Sequence, residues 1–223
     1  KLIAPVHRLK KDEIVWLGTH RCRHRHTYLE HYNCFIEENP TKSKIGFFDI
    51  ETSNLAADFG IMLCYCIKEA GTDTIYHGVL KSNEARHETS PDKRIVSHCI
   101  NDLLKFDLIY TFYGSKFDLP FLRTRAISLG IDFPVYGSVK HKDVYFIIKN
   151  KFRLHRNRLE VACNELLGES HKTHFDGNMW RRALQGNAEA LSYILEHCKA
   201  DVIDLENLTY KIINFAYPHT KSI

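Results

Sequence analysis

Asp49 and Glu51 are separated by one residue and follow the apolar run Ile45, Gly46, Phe47, Phe48. On an extended strand, residues i and i+2 share a face, so both carboxylates point one way and Ile50 the other. Two acids on one side of so apolar a strand repel each other and lose hydration. A divalent cation relieves both costs; the plainer alternative is a pair of acids at a strand end in water. Asp118 follows the turn-forming run Gly114-Ser115-Lys116 and opens a helical pattern, where an acid serves as readily as an N-cap. His197 and Asp201 lie one turn apart on a common helix face, a spacing shared with ordinary surface ion pairs. Taken singly, each feature has a structural explanation; their order along the chain is what makes them specific.

A second group offers softer donors. His20, Cys22, His24, His26, His31 and Cys34 fall within fifteen residues. Cys22, His24, His31 and Cys34 supply two thiolates and two imidazoles, a set that suits tetrahedral Zn²⁺. The spacing is not that of a standard finger, and His20 and His26 compete with His24 as donors. The alternative is a basic, His-rich surface with one or two buried Cys. A segment this short is expected to bury little core and to benefit from a metal staple.

The elements that must hold these side chains follow from periodicity and breakers. Residues 45–51, 60–68, 74–80 and 108–113 read as strands, with a turn at Thr52-Ser53-Asn54. Residues 81–94 are polar and read as a loop. Residues 95–105, 119–129 and 159–167 read as helices, the second with Pro120 in its first turn and Gly130 past its end. Residues 188–215 carry Leu191, Leu195, Cys198, Val202, Leu205, Leu208 and Ile212 at steps of three and four, a long amphipathic helix. This order predicts an α/β fold with a mixed sheet flanked by helices. The stretch from Glu37 to Lys44, with Pro40, reads as a linker. The expected division is therefore a small His/Cys-rich N-terminal appendage over 1–43 and a main domain over 44–223.

Composition sets outer bounds. Hydrophobic residues make up 44% of the 223-residue chain, enough for an ordinary packed core. The longest apolar runs fall far short of the about 20 residues that span a bilayer, and no basic-plus-apolar leader opens the chain. The chain begins at Lys1 rather than Met, so a preceding stretch is expected. A net charge of +4 is a mild basic excess, compatible with nucleic acid. Seven Cys, odd in number and not densely patterned, suit thiols or metal ligands in a reducing cytoplasm.

The motifs also carry a family resemblance. Phe47-Phe48-Asp49-Ile50-Glu51-Thr52 resembles the first motif of the DEDD superfamily of 3′–5′ exonucleases. The run from Phe112 to Leu122, Phe-Tyr-Gly-Ser-Lys-Phe-Asp-Leu-Pro-Phe-Leu, resembles the second, and His197-Cys198-Lys199-Ala200-Asp201-Val202 the third. The likeness is to ribonuclease-H-like exonuclease domains related to the proofreading domains of family B DNA polymerases, over about residues 44–215. It implies a ribonuclease-H-like fold and two-metal hydrolysis of phosphodiester bonds in single-stranded DNA. It implies that Asp49, Glu51, Asp118 and Asp201 hold two Mg²⁺ or Mn²⁺ ions and that His197 orients or deprotonates the attacking water. An enzyme of the same fold acting on RNA, and a nucleic-acid-binding module that has lost its chemistry, are the alternatives. Two departures stand out: the family often has Asn where Tyr113 stands, and His197 occupies the spacing of subfamilies that use Tyr.

Tyr113, Phe117 and Lys172 are the expected substrate contacts. Asp143 is expected to support the site rather than enter it. Lys151, Arg153, His155, Arg156 and Arg158 read as a solvated basic face that could also follow a phosphate backbone, and Trp180 reads as core rather than a stacking platform.

Overall fold

The apolar run before Asp49 becomes the middle of a five-stranded sheet. In the computed structural model, which describes residues 9–39, 43–87, 89–171 and 176–216, the strands are β1 (Ile45–Thr52), β2 (Met62–Glu69), β3 (Ile75–Val79), β4 (Leu108–Thr111) and β5 (Lys140–Asp143). Their spatial order is β3-β2-β1-β4-β5. β1 pairs antiparallel with β2, and β2 with β3, whereas β4 and β5 run parallel to β1. β1 is therefore the seam between an antiparallel meander and a parallel pair, and the carboxylates lie toward its C-terminal end.

Nine helices among the described residues complete the chain: α1 (Lys11–Thr19), α2 (Tyr32–Glu38), α3 (Ser82–His87), α4 (Lys93–Leu103), α5 (Asp118–Ser128), α6 (Val144–Lys151), α7 (Leu159–Leu167), α8 (Gly177–Leu184) and α9 (Ala188–Ala216). None is long and apolar enough to cross a membrane. β2 is buried from Met62 to Lys68, the pattern of a strand covered on both faces. One cover is α4, where Asp102 accepts from the Tyr65 hydroxyl at 2.6 Å. The other is α9, whose Ile194 carbonyl accepts from the Cys64 thiol at 3.8 Å. Cys64 and Cys66 lie opposite Glu51 and Asp49 in the β1–β2 register, so α9 covers the sheet face that carries the acids.

Several expectations are corrected. The polar stretch 81–94 contains α3, a short helix held by tertiary contacts: Glu84 pairs with Arg94 and Arg86 donates to the Gln185 carbonyl at 3.0 Å. The expected linker begins too early, since Glu37 and Glu38 lie in α2, and Glu37 pairs with Lys140 at 2.6 Å; residues 40–42 lie outside the described residues. The N-terminal segment buries more than expected, because Leu17, Tyr28, Tyr32, Phe35 and Ile36 join the same buried cluster as the sheet. Gly168 ends α7 in the left-handed region at φ 88°, as the sequence suggests.

Gly46 marks how tightly the sheet centre is packed. A Cβ there would stand 2.8 Å from Ile67 and 2.9 Å from both Ile109 and Phe106. Gly46→Ala is expected to destabilise the protein by about 1–3 kcal/mol, the range for overpacking a core. Denaturant unfolding checks it, and an unchanged midpoint would show that these side chains give way freely.

Candidate active site

Three elements converge on one face of β1. The strand supplies Asp49 and Glu51, both half-buried, with Ile50 buried on the opposite face. α9 lies across them and supplies His197 and Asp201, both buried. Its Cys198 thiol donates to the backbone and side-chain oxygens of Asp49 at 3.5 Å each, which brings the helix down onto the strand. The ring Nε2 of His197 stands 3.9 Å from Glu51 Oε1 and 3.9 Å from Asp201 Oδ2. Glu51, His197 and Asp201 each offer one ligand atom, and these atoms all lie within 4.8 Å of one another. His197 is therefore not a surface partner of Asp201. Trp180 of α8 meets its ring edge-on, with centroids 5.6 Å apart, and is packed against the core as expected.

Asp118 enters from the parallel side. It is the first residue of α5, but its carboxylate does not serve simply as a cap: Oδ1 accepts the backbone N–H of Ile50 at 3.1 Å. That bond ties the start of α5 to the strand between the two acids. Burial raises its pKa to about 7, opposed by the N–H bonds it accepts, and the charges of Asp143 and Asp201 push the same way as burial. Asp118 thus senses the Asp201 carboxylate across the site.

The turn before Asp118 is built to order. Tyr113 has φ 70°, a conformation rare for a residue with a side chain. Asp143 holds it there, accepting the Tyr113 N–H at 2.8 Å, the Ser115 N–H at 3.0 Å and the Ser115 hydroxyl at 2.6 Å. The same carboxylate caps α6 through the Tyr145 N–H. Gly114 is required because a Cβ would collide with Thr111. The Tyr113 ring is exposed and packs edge-on to Tyr145 at 4.7 Å, while Phe117 is half-buried against Phe121. Lys172 lies outside the described residues. Lys151, Arg153, His155, Arg156 and Arg158 are all exposed, as a solvated face requires.

Two features of the site were not legible in the sequence. Cys198, read only as an apolar position, touches Asp49. Asp92, fully buried, takes a two-pronged contact from Arg125 at 2.7 and 2.8 Å and the Met62 N–H at 3.0 Å; it locks α5 to the start of β2.

The N-terminal donors also meet. Cys22, His24, His31 and Cys34 place one ligand atom each within 4.8 Å of the others, and His20 and His26 are outside that group. His20 instead stacks on Trp16 with centroids 4.1 Å apart.

A family model described as RNase_H superfamily matches residues 46–213. No curated protein sequence matches the chain. Among solved structures, the family B DNA polymerase of the hyperthermophilic archaeon Pyrobaculum calidifontis is similar in fold, with a TM-score of 0.62 and 16% identity. The match covers 77% of this chain and 24% of the polymerase, so the chain spans about a quarter of that protein's length.

The raised pKa of Asp118 has a stability consequence for the metal-free protein. Between its ordinary value of 3.8 and the folded value of about 7, the folded state keeps a proton that the unfolded chain has released. Unfolding then releases a proton, so stability falls as pH rises through this window and the cost levels off above it. Asp118→Asn keeps the acceptor for Ile50 without the charge. In EDTA its melting temperature should exceed that of the native protein by more at pH 8 than at pH 5. Equal differences at the two pH values would show that Asp118 is not held in this way.

Proposed function

We propose that this chain, which belongs to the RNase H superfamily, is a metal-dependent 3′–5′ exonuclease acting on single-stranded DNA. The observation that carries the reading is the convergence of Glu51, His197 and Asp201 within 4.8 Å, with Asp49 on the same strand face and Asp118 bonded to Ile50 between them. Oxygen donors dominate this set, and such donors suit Mg²⁺ or Mn²⁺. Asp49, Glu51, Asp118 and Asp201 would hold two such ions, which supply Lewis acidity and neutralise charge on the phosphate.

The chain's own groups do the rest. His197, packed edge-on against Trp180, would take the proton of the attacking water through Nε2. Tyr113, exposed on its left-handed turn, would contact the sugar–phosphate backbone beside the scissile bond, and Phe117 would add a further contact. Leu55 and Phe59, each 83% exposed, sit on the turn that leaves Glu51. Unstacked bases supply the apolar faces such side chains can cover, which supports a single-stranded substrate or a frayed 3′ end.

The test uses 5′-labelled DNA and RNA oligonucleotides. DNA should shorten stepwise from its 3′ end with Mg²⁺ or Mn²⁺. EDTA and Asp49→Ala should each abolish the reaction, with the Asp49→Ala protein still folded. Full activity in EDTA, or in Asp49→Ala, would sink the mechanism. Preferential cutting of RNA would move the substrate, and binding without cleavage would make the chain a binding module.

His197 has a separate test. His197→Ala should slow cleavage by about 10²–10⁴-fold, the usual contribution of a positioned acid–base group, while strand binding in Ca²⁺ stays the same. His197→Tyr should keep part of the activity, since its spacing matches subfamilies that use Tyr. A native rate for His197→Ala would remove this residue from the chemistry.

A further inference from the structure

Far from the carboxylates in sequence, the segment around Cys22 forms a small knuckle. Arg21 bridges Thr27, the Cys22 N–H donates to the His26 carbonyl at 2.9 Å, and the Arg25 N–H returns to the Cys22 carbonyl at 2.8 Å. Arg25 takes φ 66° to close the turn. This places Cys22 and His24 on one tight loop. His31 is the N-cap residue of α2 and Cys34 lies in its first turn, with the Cys34 N–H bonded to the His31 carbonyl at 3.0 Å. The two pairs face each other.

The distances between their donor atoms are those of a coordination tetrahedron. Cys22 Sγ is 3.7 Å from His31 Nδ1, Cys34 Sγ is 3.5 Å from His31 Nδ1, and Cys34 Sγ is 3.2 Å from His24 Nδ1. Zinc bonds of about 2.3 Å to sulfur and about 2.0–2.1 Å to nitrogen, at the tetrahedral angle, put S and N about 3.6 Å apart. Hydrogen bonding accounts for these contacts less well. His31 Nδ1 approaches both sulfurs, but a neutral ring nitrogen has one lone pair and accepts one thiol proton. Both Cys are buried, and each sulfur faces an imidazole nitrogen.

We infer that Cys22, His24, His31 and Cys34 form a closed, four-coordinate Zn²⁺ site. Two thiolates and two imidazoles select zinc over Mg²⁺ or Mn²⁺, and four protein ligands leave no open position for catalysis. The ion staples the knuckle to the start of α2. From there the segment reaches the sheet: the Tyr32 hydroxyl donates to Asp107 at 3.0 Å, the Lys44 N–H donates to the same carboxylate at 2.9 Å, and Glu37 pairs with Lys140 of β5. Zinc thus fixes the segment that borders the parallel edge of the sheet. The site stands independently of the nuclease reading.

The test measures metal, not cleavage. The full chain, purified without added metal, should carry about one Zn²⁺ per molecule, and a mercurial reagent should release it as two thiols react. Replacement with Co²⁺ should give a thiolate charge-transfer band and the visible spectrum of a tetrahedral ion. Cys22→Ser with Cys34→Ser should lose the zinc and lower the melting temperature, whereas Asp49→Ala should keep it. The site is overturned if the native protein holds no zinc and gives no thiolate band with Co²⁺, or if the double variant keeps its zinc. Should the double variant fail to fold, the cobalt spectrum of the native chain decides.

Discussion

The molecule is organised around a repulsion. Glu51 and Asp201 meet beside His197 under α9, Asp49 shares the strand face of Glu51, and Asp118 is buried against the Ile50 N–H between them; like charges here raise each other's cost and burial adds to it. The rest of the fold supplies rigid elements that keep these groups from drifting apart. α9 is pinned to β2 at two places, by the Cys64 contact with Ile194 and by the buried pair of Lys68 and Glu206 at 2.5 Å. Two attachments along one helix fix its rotation as well as its position. His197, Cys198 and Asp201 therefore stay turned toward β1. A helix free to roll would relieve the repulsion by carrying Asp201 to solvent.

Asp118 needs a different device, because it sits at the head of α5 rather than along a helix face. Its position depends on the turn at Tyr113, and that turn is unfavourable by itself. A left-handed residue with a side chain costs on the order of 1–2 kcal/mol. Asp143 offsets this with three hydrogen bonds to the turn and a fourth to the next helix. Asp92 holds the other side of α5 through Arg125. Removing one partner of a buried fork of this kind leaves an uncompensated charge, so such contacts are rigid once formed. Neither carboxylate belongs to the three-residue group under α9, yet between them they set where Asp118 lies.

What the sequence made legible follows from which forces act locally. α9 carries strong apolar periodicity and β1 and β4 carry apolar runs, so these elements could be read directly, although β4 ends at Thr111 and not at Tyr113, which already belongs to the left-handed turn. β5 could not: its residues, Lys-His-Lys-Asp, are all polar because it is an edge strand, and edges are commonly charged. α3 reads as loop because its six residues, five of them polar, have no period to detect and tertiary contacts hold them. The acids of the site were visible as spacings, but their burial was not. Asp118 looked equally like a cap, and His197 like a surface residue, because only the packing of Trp180 and the Ile50 N–H distinguishes the two cases. Asp143 was legible as an acid near the site, while its role as the clamp on the turn required the fold.

The two donor clusters differ in hardness, and the fold keeps them chemically separate. One is rich in carboxylate oxygen and the other combines sulfur with imidazole nitrogen, so each would discriminate against the ion that suits the other. A sulfur does lie beside the oxygen cluster: Cys198 touches Asp49. Burial, with Cys64 and Cys66 nearby, pushes its pKa well above the ordinary thiol value. It stays a neutral donor to Asp49 rather than a thiolate, the form that binds soft metals. Cys22 and Cys34, by contrast, lie with two imidazoles at tetrahedral spacing. The same residue type thus meets different surroundings at two places, a carboxylate at Cys198 and imidazoles at Cys22 and Cys34, and the difference in chemistry lies in what each thiol faces.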